Sequence, residues 1–144
     1  MAKKLKKLKL YGAVYFIFGV INAINVLWGI VGGRYSALLL AQSGGISEKN
    51  ALLFEVLVFV LDVAVILSCL CLGVKGYLYG IGEGYGMVHI PVSKYLAGVF
   101  ILHIAVNIVG YFVGQADYIS VATAVAGLCI VFDYNKCARI ALES

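Results

Sequence analysis

The sequence has too few charged side chains to cover the surface of a soluble protein of its size. Only 12% of its 144 residues are charged, whereas 63% are hydrophobic, and the mean hydropathy is +1.02. Soluble domains usually carry about 25% charged residues. The composition therefore excludes an ordinary water-soluble domain. It indicates one integral membrane domain, residues 1–144, that crosses the bilayer several times.

Two kinds of pattern are also missing. The apolar runs do not alternate with period two, which argues against a transmembrane β-barrel and leaves helices as the way to satisfy the backbone in lipid. No nucleophile elbow, HExxH motif or P-loop is present. The spacing Cys69-Leu-Cys71 fits neither a redox motif nor a zinc knuckle. We therefore expect no enzyme, no cofactor and no metal site, and we expect the cysteines to be buried thiols.

Four long apolar segments are what the sequence does contain. They predict helices at about 8–32, 48–74, 94–114 and 117–138, each close to the roughly 20 residues that span a bilayer. The fold class is therefore all-α, a bundle of four transmembrane helices. Between the first two segments, "YSALLLAQ" predicts a short helix on the outer surface, and Ser47 is the expected N-cap of the next long helix.

The basic residues predict the orientation. All but Arg34 and Lys49 of the eleven basic residues lie at or before the start of the first predicted helix, at or after the end of the fourth, or beside the connection of the second and third. The positive-inside rule then places both termini in the cytoplasm and the chain in a plasma membrane, such as a bacterial inner membrane. Because this explains the N-terminal lysines, we expect no nucleic-acid partner. Aromatic belts are expected from Tyr11, Tyr77, Tyr95 and Tyr134 inside and Trp28, Tyr35, Tyr111 and Tyr118 outside.

Polar residues recur at matching depths within the apolar segments. Asp62, Asn22 and His103 lie near the middle of the second, first and third segments. A charge at mid-bilayer costs about 2.5–3.5 kcal/mol, so Asp62 should face the bundle interior or a wet cavity. We predict that Asp62 and His103 approach each other and bind a ligand or ion. The candidate site residues are Asp62, His103, Asn22, Asn25, Asn107 and Glu55.

A purely structural role is the alternative for several of these residues. Amides that bond between membrane helices contribute about 0.6 kcal/mol each, and the three asparagines suit that role. Glu55 shares a helical face with Asp62 but is near enough to the outer interface to reach it. Small-residue pairs, Gly29 with Gly33 and Gly110 with Gly114, predict close helix contacts.

Three functions remain open on the sequence alone. The first is a small channel, transporter or transporter subunit that handles a proton, a cation or a small polar solute at the Asp62 level. The second is a non-enzymatic accessory or scaffold protein that binds another membrane protein. The third is a membrane enzyme or redox subunit that uses the cysteines or His103. The expected partners are the lipid bilayer and either further copies of the chain or another membrane protein. The glycine-rich connection, 73–93, is either a compact turn or a binding loop.

Overall fold

The structure is a computed structural model that describes residues 2–33, 35–81, 92–112 and 117–142. Within these ranges all regular secondary structure is helical. Residues 82–91 of the connection predicted at 73–93 lie outside the described residues, as does the side chain of Ser93, the expected cap of the third segment. The helices are α1 Ala2–Val31, α2 Ala37–Gly44, α3 Glu48–Gly80, α4 Val92–Phe112 and α5 Tyr118–Leu142. The long ones, α1, α3, α4 and α5, are apolar enough to cross a membrane.

The helix ends follow from local chemistry. The predicted short helix is present as α2, and the Ser47 cap is confirmed, because Ser47 Oγ accepts a hydrogen bond from the Asn50 backbone N–H at 3.3 Å. α1 ends at Val31 because Gly33 takes a positive φ of 75°, the left-handed geometry that closes many helices. Gly29 and Gly33 therefore do not form the continuous helical face that their spacing suggested.

Three helices are longer than the sequence indicated, and one of them, α5, ends at Leu142 rather than near residue 138. α1 begins at Ala2 rather than near residue 8, since lysine and leucine are good helix formers and extend the apolar segment backwards. α3 continues past residue 74 to Gly80. Its glycines were read as the start of a loop, but Gly73, Gly76 and Gly80 all lie against neighbouring helices, and that packing keeps the segment helical.

The long helices form a ring in the order α1, α3, α4, α5, in which each is antiparallel to its neighbours. Residues near the start of α1 lie beside the ends of α3 and α5, as in the contacts of Lys9 with Gly80 and of Lys7 with Asp133. We call this the terminal end of the bundle, since both chain termini are there. The other end, which carries α2 packed on α3, is the α2 end.

The contact between α1 and α3 is the most extensive in the bundle. A Cβ built on Gly12 would lie 2.4 Å from the Tyr77 backbone nitrogen and 2.7 Å from the Gly73 carbonyl oxygen. A Cβ on Gly80 would lie 2.6–2.7 Å from backbone and Cβ atoms of Lys9. The two backbones therefore touch at positions where only hydrogen fits, the arrangement that small residues allow between membrane helices.

The interior of the bundle is divided into two halves. The terminal half is apolar and is organised around the rings of Tyr15, Phe100 and Tyr134. Tyr15 lies parallel to Phe100 at 6.4 Å and edge-on to Tyr134 at 5.6 Å. The half near the α2 end holds the buried polar side chains, which are Asn22, Asn25, Glu55, Asp62, His103, Ser120 and Thr123. We call these the aromatic half and the polar half.

The outside of the bundle is strongly apolar. Large hydrophobic side chains are exposed along every long helix, including Ile24 on α1, Leu67 on α3, Ile101 on α4 and Phe132 on α5, all at least 54% exposed. A water-facing bundle normally keeps charged residues on this side. Among the described residues, apolar side chains therefore cover the outside of the bundle as well as filling part of its interior.

We predict that Gly12→Leu lowers the thermal stability of the purified protein in mild detergent, because a side chain there must push α1 away from the backbone of α3. Overpacking of this kind costs about 1–3 kcal/mol. The matched control is Gly98→Leu on α4, since a Cβ on Gly98 meets no atom within 4 Å. Equal melting temperatures for the two variants would show that the contact is not tight.

Candidate functional site

Asp62 and His103 meet in the polar half of the interior. Asp62 lies on α3 and His103 on α4, and His103 Nε2 is 3.4 Å from Asp62 Oδ1. Their side chains are 3% and 1% exposed. The structure therefore places together the two residues that the sequence selected, and it turns both away from the apolar outer surface. Their role as a ligand or ion site stays a prediction.

The other oxygen of the Asp62 carboxyl group accepts a hydrogen bond from a tyrosine. The Tyr35 hydroxyl donates to Asp62 Oδ2 at 2.6 Å. Tyr35 precedes α2, and its ring packs edge-on against Phe59 of α3 at 5.3 Å. The sequence analysis assigned Tyr35 to an outer aromatic belt, which misses this bond. No spacing in the sequence could reveal it, because it depends on how the chain turns between α1 and α2.

The imidazole of His103 is buried, and both of its ring nitrogens could still form a hydrogen bond. Within the described ranges neither of its ring nitrogens makes a hydrogen bond, so its contact with Asp62 is electrostatic. Leaving a buried polar group unsatisfied costs about 1–3 kcal/mol. Such a group is retained most readily where a water, a proton or a small ligand can occupy the free position. Among the described residues, the buried imidazole without a hydrogen bond is the feature that most favours a chemical role for these side chains over a role in helix packing.

The asparagines of α1 bond to α5 rather than to Asp62. Asn22 Nδ2 donates to Thr123 Oγ1 at 2.8 Å, and Asn25 Nδ2 donates to both carboxylate oxygens of Asp117, at 2.9 and 3.1 Å. Ser120 joins the two groups, because its Oγ donates to Asp117 Oδ2 at 2.7 Å and its backbone carbonyl accepts from Thr123 Oγ1 at 3.1 Å. These contacts cross-link α1 and α5 along the polar half, which is the structural alternative left open above.

Asn107 makes a local contact in the described part of the chain. Its Nδ2 donates to the backbone carbonyl of His103, one turn earlier in α4, at 2.9 Å. This bond holds Asn107 beside His103. Its position on the same face of α4 agrees with the spacing, but the contact supports the helix backbone.

Glu55 corrects one detail of the sequence analysis. We expected its carboxylate to reach the outer interface, but Glu55 is only 3% exposed. It lies two turns from Asp62 on the same side of α3, so these two acids point inward, whereas Glu48 at the start of the helix is exposed. Glu55 is not exposed although it is near the end of its apolar segment, because α2 packs on α3 at that end.

Asp117 and Ser120 are polar-half residues that the sequence analysis overlooked. The Ser120 backbone N–H donates to Asp117 Oδ1 at 3.2 Å, so Asp117 caps the start of α5. The signal was available, since aspartate is a favoured residue at the position just before a helix. The hydrogen bonds from Asn25 to Asp117 could not be predicted in this way, because the two residues are far apart in the sequence.

The cysteines give no sign of metal chemistry. Cys69 and Cys137 are buried, whereas Cys71 and Cys129 are exposed, so the expectation that all four are buried is wrong for the latter two. Among the described residues no three His, Cys, Asp or Glu side chains lie close enough to hold a metal ion. The side chains of Asp62 and His103 can exchange a proton or bind a polar ligand.

Comparison of the chain with protein-family models, with curated proteins and with solved structures gives no match.

Proposed function

We propose that the chain is a multi-pass protein of the plasma membrane whose α1, α3, α4 and α5 cross the bilayer with both termini in the cytoplasm. The exposed apolar side chains on all four helices support this placement. Tyr77 and Tyr95 are exposed at the terminal end, and Trp28, Tyr111 and Tyr118 at the α2 end, as belts at two interfaces would be. Tyr134 belongs to neither, since it is 4% exposed in the aromatic half.

Helix length supports the same placement. The 33 residues of α3 extend about 50 Å at 1.5 Å per residue. The hydrocarbon core of a bilayer is about 30 Å thick. The excess at the terminal end carries Lys75 and Tyr77, residues that suit a headgroup region. The N-terminal lysines of α1 lie at the same end and give it the positive charge expected on the cytoplasmic side.

Within this frame the function we propose is a small channel or transporter, or a transporter subunit, that handles a proton, a cation or a small polar solute at Asp62 and His103. The observation that carries the proposal is the contact of a buried carboxylate with a buried imidazole whose ring nitrogens make no hydrogen bond among the described residues. Ionisable residues inside membrane segments are costly and typically mark ion or proton pathways.

The geometry suggests how the pair would work. At 3.4 Å a proton on His103 Nε2 makes an ion pair with Asp62, and its loss leaves a carboxylate that can attract a cation. The Tyr35 hydroxyl donates to the other oxygen of Asp62 in either case and so orients the carboxylate. The aromatic half then closes the path toward the terminal end, so access to the pair is expected from the α2 end.

An accessory protein is the second candidate, and one observation favours it. A groove of about 370 Å³ runs along the outside of α1 and α3, with an almost wholly apolar lining that includes Gly12, Phe16, Gly73 and Tyr77. A helix of another membrane protein could lie in such a groove. The mass of the protein in mild detergent separates the candidates, because a channel this small is expected to self-assemble and an accessory protein to co-purify with a different chain.

The proposed topology predicts which positions react from outside the cell. In full-length chains whose four cysteines are replaced by alanine, we expect Lys49→Cys to react with a membrane-impermeant maleimide on intact cells. We expect Lys3→Cys to react only after the membrane is opened, because the positive end faces the cytoplasm. The reverse pattern would contradict the orientation, and labelling of both positions on intact cells would contradict membrane insertion.

The site predicts that Asp62→Asn abolishes ion movement. Protein in lipid vesicles is given a membrane potential, and the fluxes of H⁺, Na⁺ and K⁺ are measured separately. The wild-type flux of at least one ion should exceed that of empty vesicles, and Asp62→Asn should lower it about tenfold or more, because an amide neither gains nor loses a proton at neutral pH. His103→Gln should lower the same flux.

The matched control for this prediction is Glu48→Gln, which makes the same acid-to-amide change at an exposed position of the same helix. It should leave the flux unchanged, and melting curves should confirm that all variants are folded. Wild-type flux in both Asp62→Asn and His103→Gln would show that these two residues do not form the ion site. A wild-type flux equal to that of empty vesicles for all three ions would contradict ion transport.

A further inference from the structure

A basic pocket lies between α1 and α5 at the terminal end, far from the polar half. Its volume is about 220 Å³, and it is lined by Lys3, Lys4, Lys7, Asp133, Lys136 and Cys137. Four lysines against one aspartate leave a net charge of +3 among these side chains. Since a water molecule takes about 30 Å³, the space suits a group of several heavy atoms rather than a single ion.

The aspartate in this pocket is engaged by the protein itself. Asp133 accepts a hydrogen bond from the Tyr11 hydroxyl, and its Oδ2 lies 3.4 Å from Lys7 Nζ. These contacts tie α5 to α1 and fix one wall of the pocket. Lys136 also acts on Asp133 through its positive charge. The side chains of Lys3, Lys4 and Lys136 line the same pocket and can donate to an anion placed between the two helices. Lysine is a common ligand of phosphate groups.

Apolar side chains continue from the pocket along the outside of both helices. Leu10 follows Lys7 by three residues on α1, and Phe132 precedes Lys136 by four on α5, so each shares a helical face with a pocket lysine. Leu10 is 61% exposed and Phe132 is 65% exposed. A ligand with a negative headgroup and apolar tails matches this order of charged and apolar surface, whereas free phosphate matches only the charged part.

We propose that this pocket binds the phosphate headgroup of an anionic phospholipid, with the acyl chains along Leu10 and Phe132. The proposal rests on the membrane placement proposed above but not on ion transport. Basic pockets between membrane helices on the cytoplasmic side are known to hold anionic headgroups. The net charge of +3 favours a headgroup with more than one negative charge over a singly charged one.

The test compares two pairs of lysines on the same helix. Full-length protein in a neutral detergent is mixed with phosphatidylglycerol, with cardiolipin or with phosphatidylcholine, and bound lipid is measured by native mass spectrometry. We expect both anionic lipids to be retained, cardiolipin the more tightly, and phosphatidylcholine to be lost. Lys4→Gln with Lys7→Gln should weaken binding of the anionic lipids about tenfold or more.

The matched control is Lys6→Gln with Lys9→Gln, which removes the same charge from the same end of α1 but from outside the pocket. Retention of lipid by this control supports the pocket, and an equal loss in both pairs would overturn it in favour of general surface attraction. Displacement of the lipid by millimolar inorganic phosphate would also overturn it, by showing a free-phosphate site. Lys136→Gln, on α5, should weaken binding and so show that both helices contribute.

This experiment is independent of ion movement. If the lysine variants lose lipid but keep the flux of the wild type, the pocket stands apart from the Asp62 site. If the wild type binds anionic lipid while no ion flux is found, only the transport proposal fails. A third outcome is that maleimide labelling shows the chain to be inserted in the membrane while the purified protein binds phosphatidylglycerol no better than phosphatidylcholine. In that case only the pocket proposal fails.

Discussion

The backbone contact of α1 with α3 is the constraint on which the rest of the bundle depends. Gly12 meets the backbone of α3 around Gly73 and Tyr77, so no side chain separates the helices there. The same close approach leaves a notch at Gly76, where a Cβ would lie 2.7 Å from the ring of Tyr134. The Tyr134 hydroxyl then donates to the Leu72 carbonyl at 2.9 Å, which anchors α5 on α3. These glycine contacts therefore set the relative positions of α1, α3 and α5.

The anchored rings also separate the two halves of the interior. Tyr15 is fully buried, and its hydroxyl donates to the Gly127 carbonyl at 2.7 Å, so the ring bridges α1 and α5 at the border of the aromatic half. Beyond that border the buried side chains are polar, and they sort themselves into two groups. Asn22 and Asn25 join α1 to α5, while Asp62 and His103 join α3 to α4. The first group uses its hydrogen bonds for packing, whereas in the second the ring nitrogens of His103 make no hydrogen bond among the described residues.

Much of this arrangement follows from the sequence, and the exceptions have physical causes. Four apolar runs predicted the long helices, and depth along each run predicted that Asp62 and His103 would lie at one level. The close glycine contacts were not predicted, because Gly12 has no small residue one turn away, and Gly76 and Gly80, which do have that spacing, lie where a loop was expected. The sequence analysis also misplaced Tyr35 and Glu55. Both errors came from treating distance to a helix end as exposure, whereas α2 and its connection cover that end.

The sequence by itself determined that four long helices exist and where α3 starts, since these depend on local hydrophobicity and on caps such as Ser47. Only the tertiary structure decided which face of each helix points inward and which partner each polar group meets. The physical reason is that these helices are apolar on nearly all sides. An amphipathic helix shows its buried stripe in its sequence. A helix surrounded by apolar side chains leaves that choice to packing, and here the packing is set by glycine contacts between residues far apart in the chain.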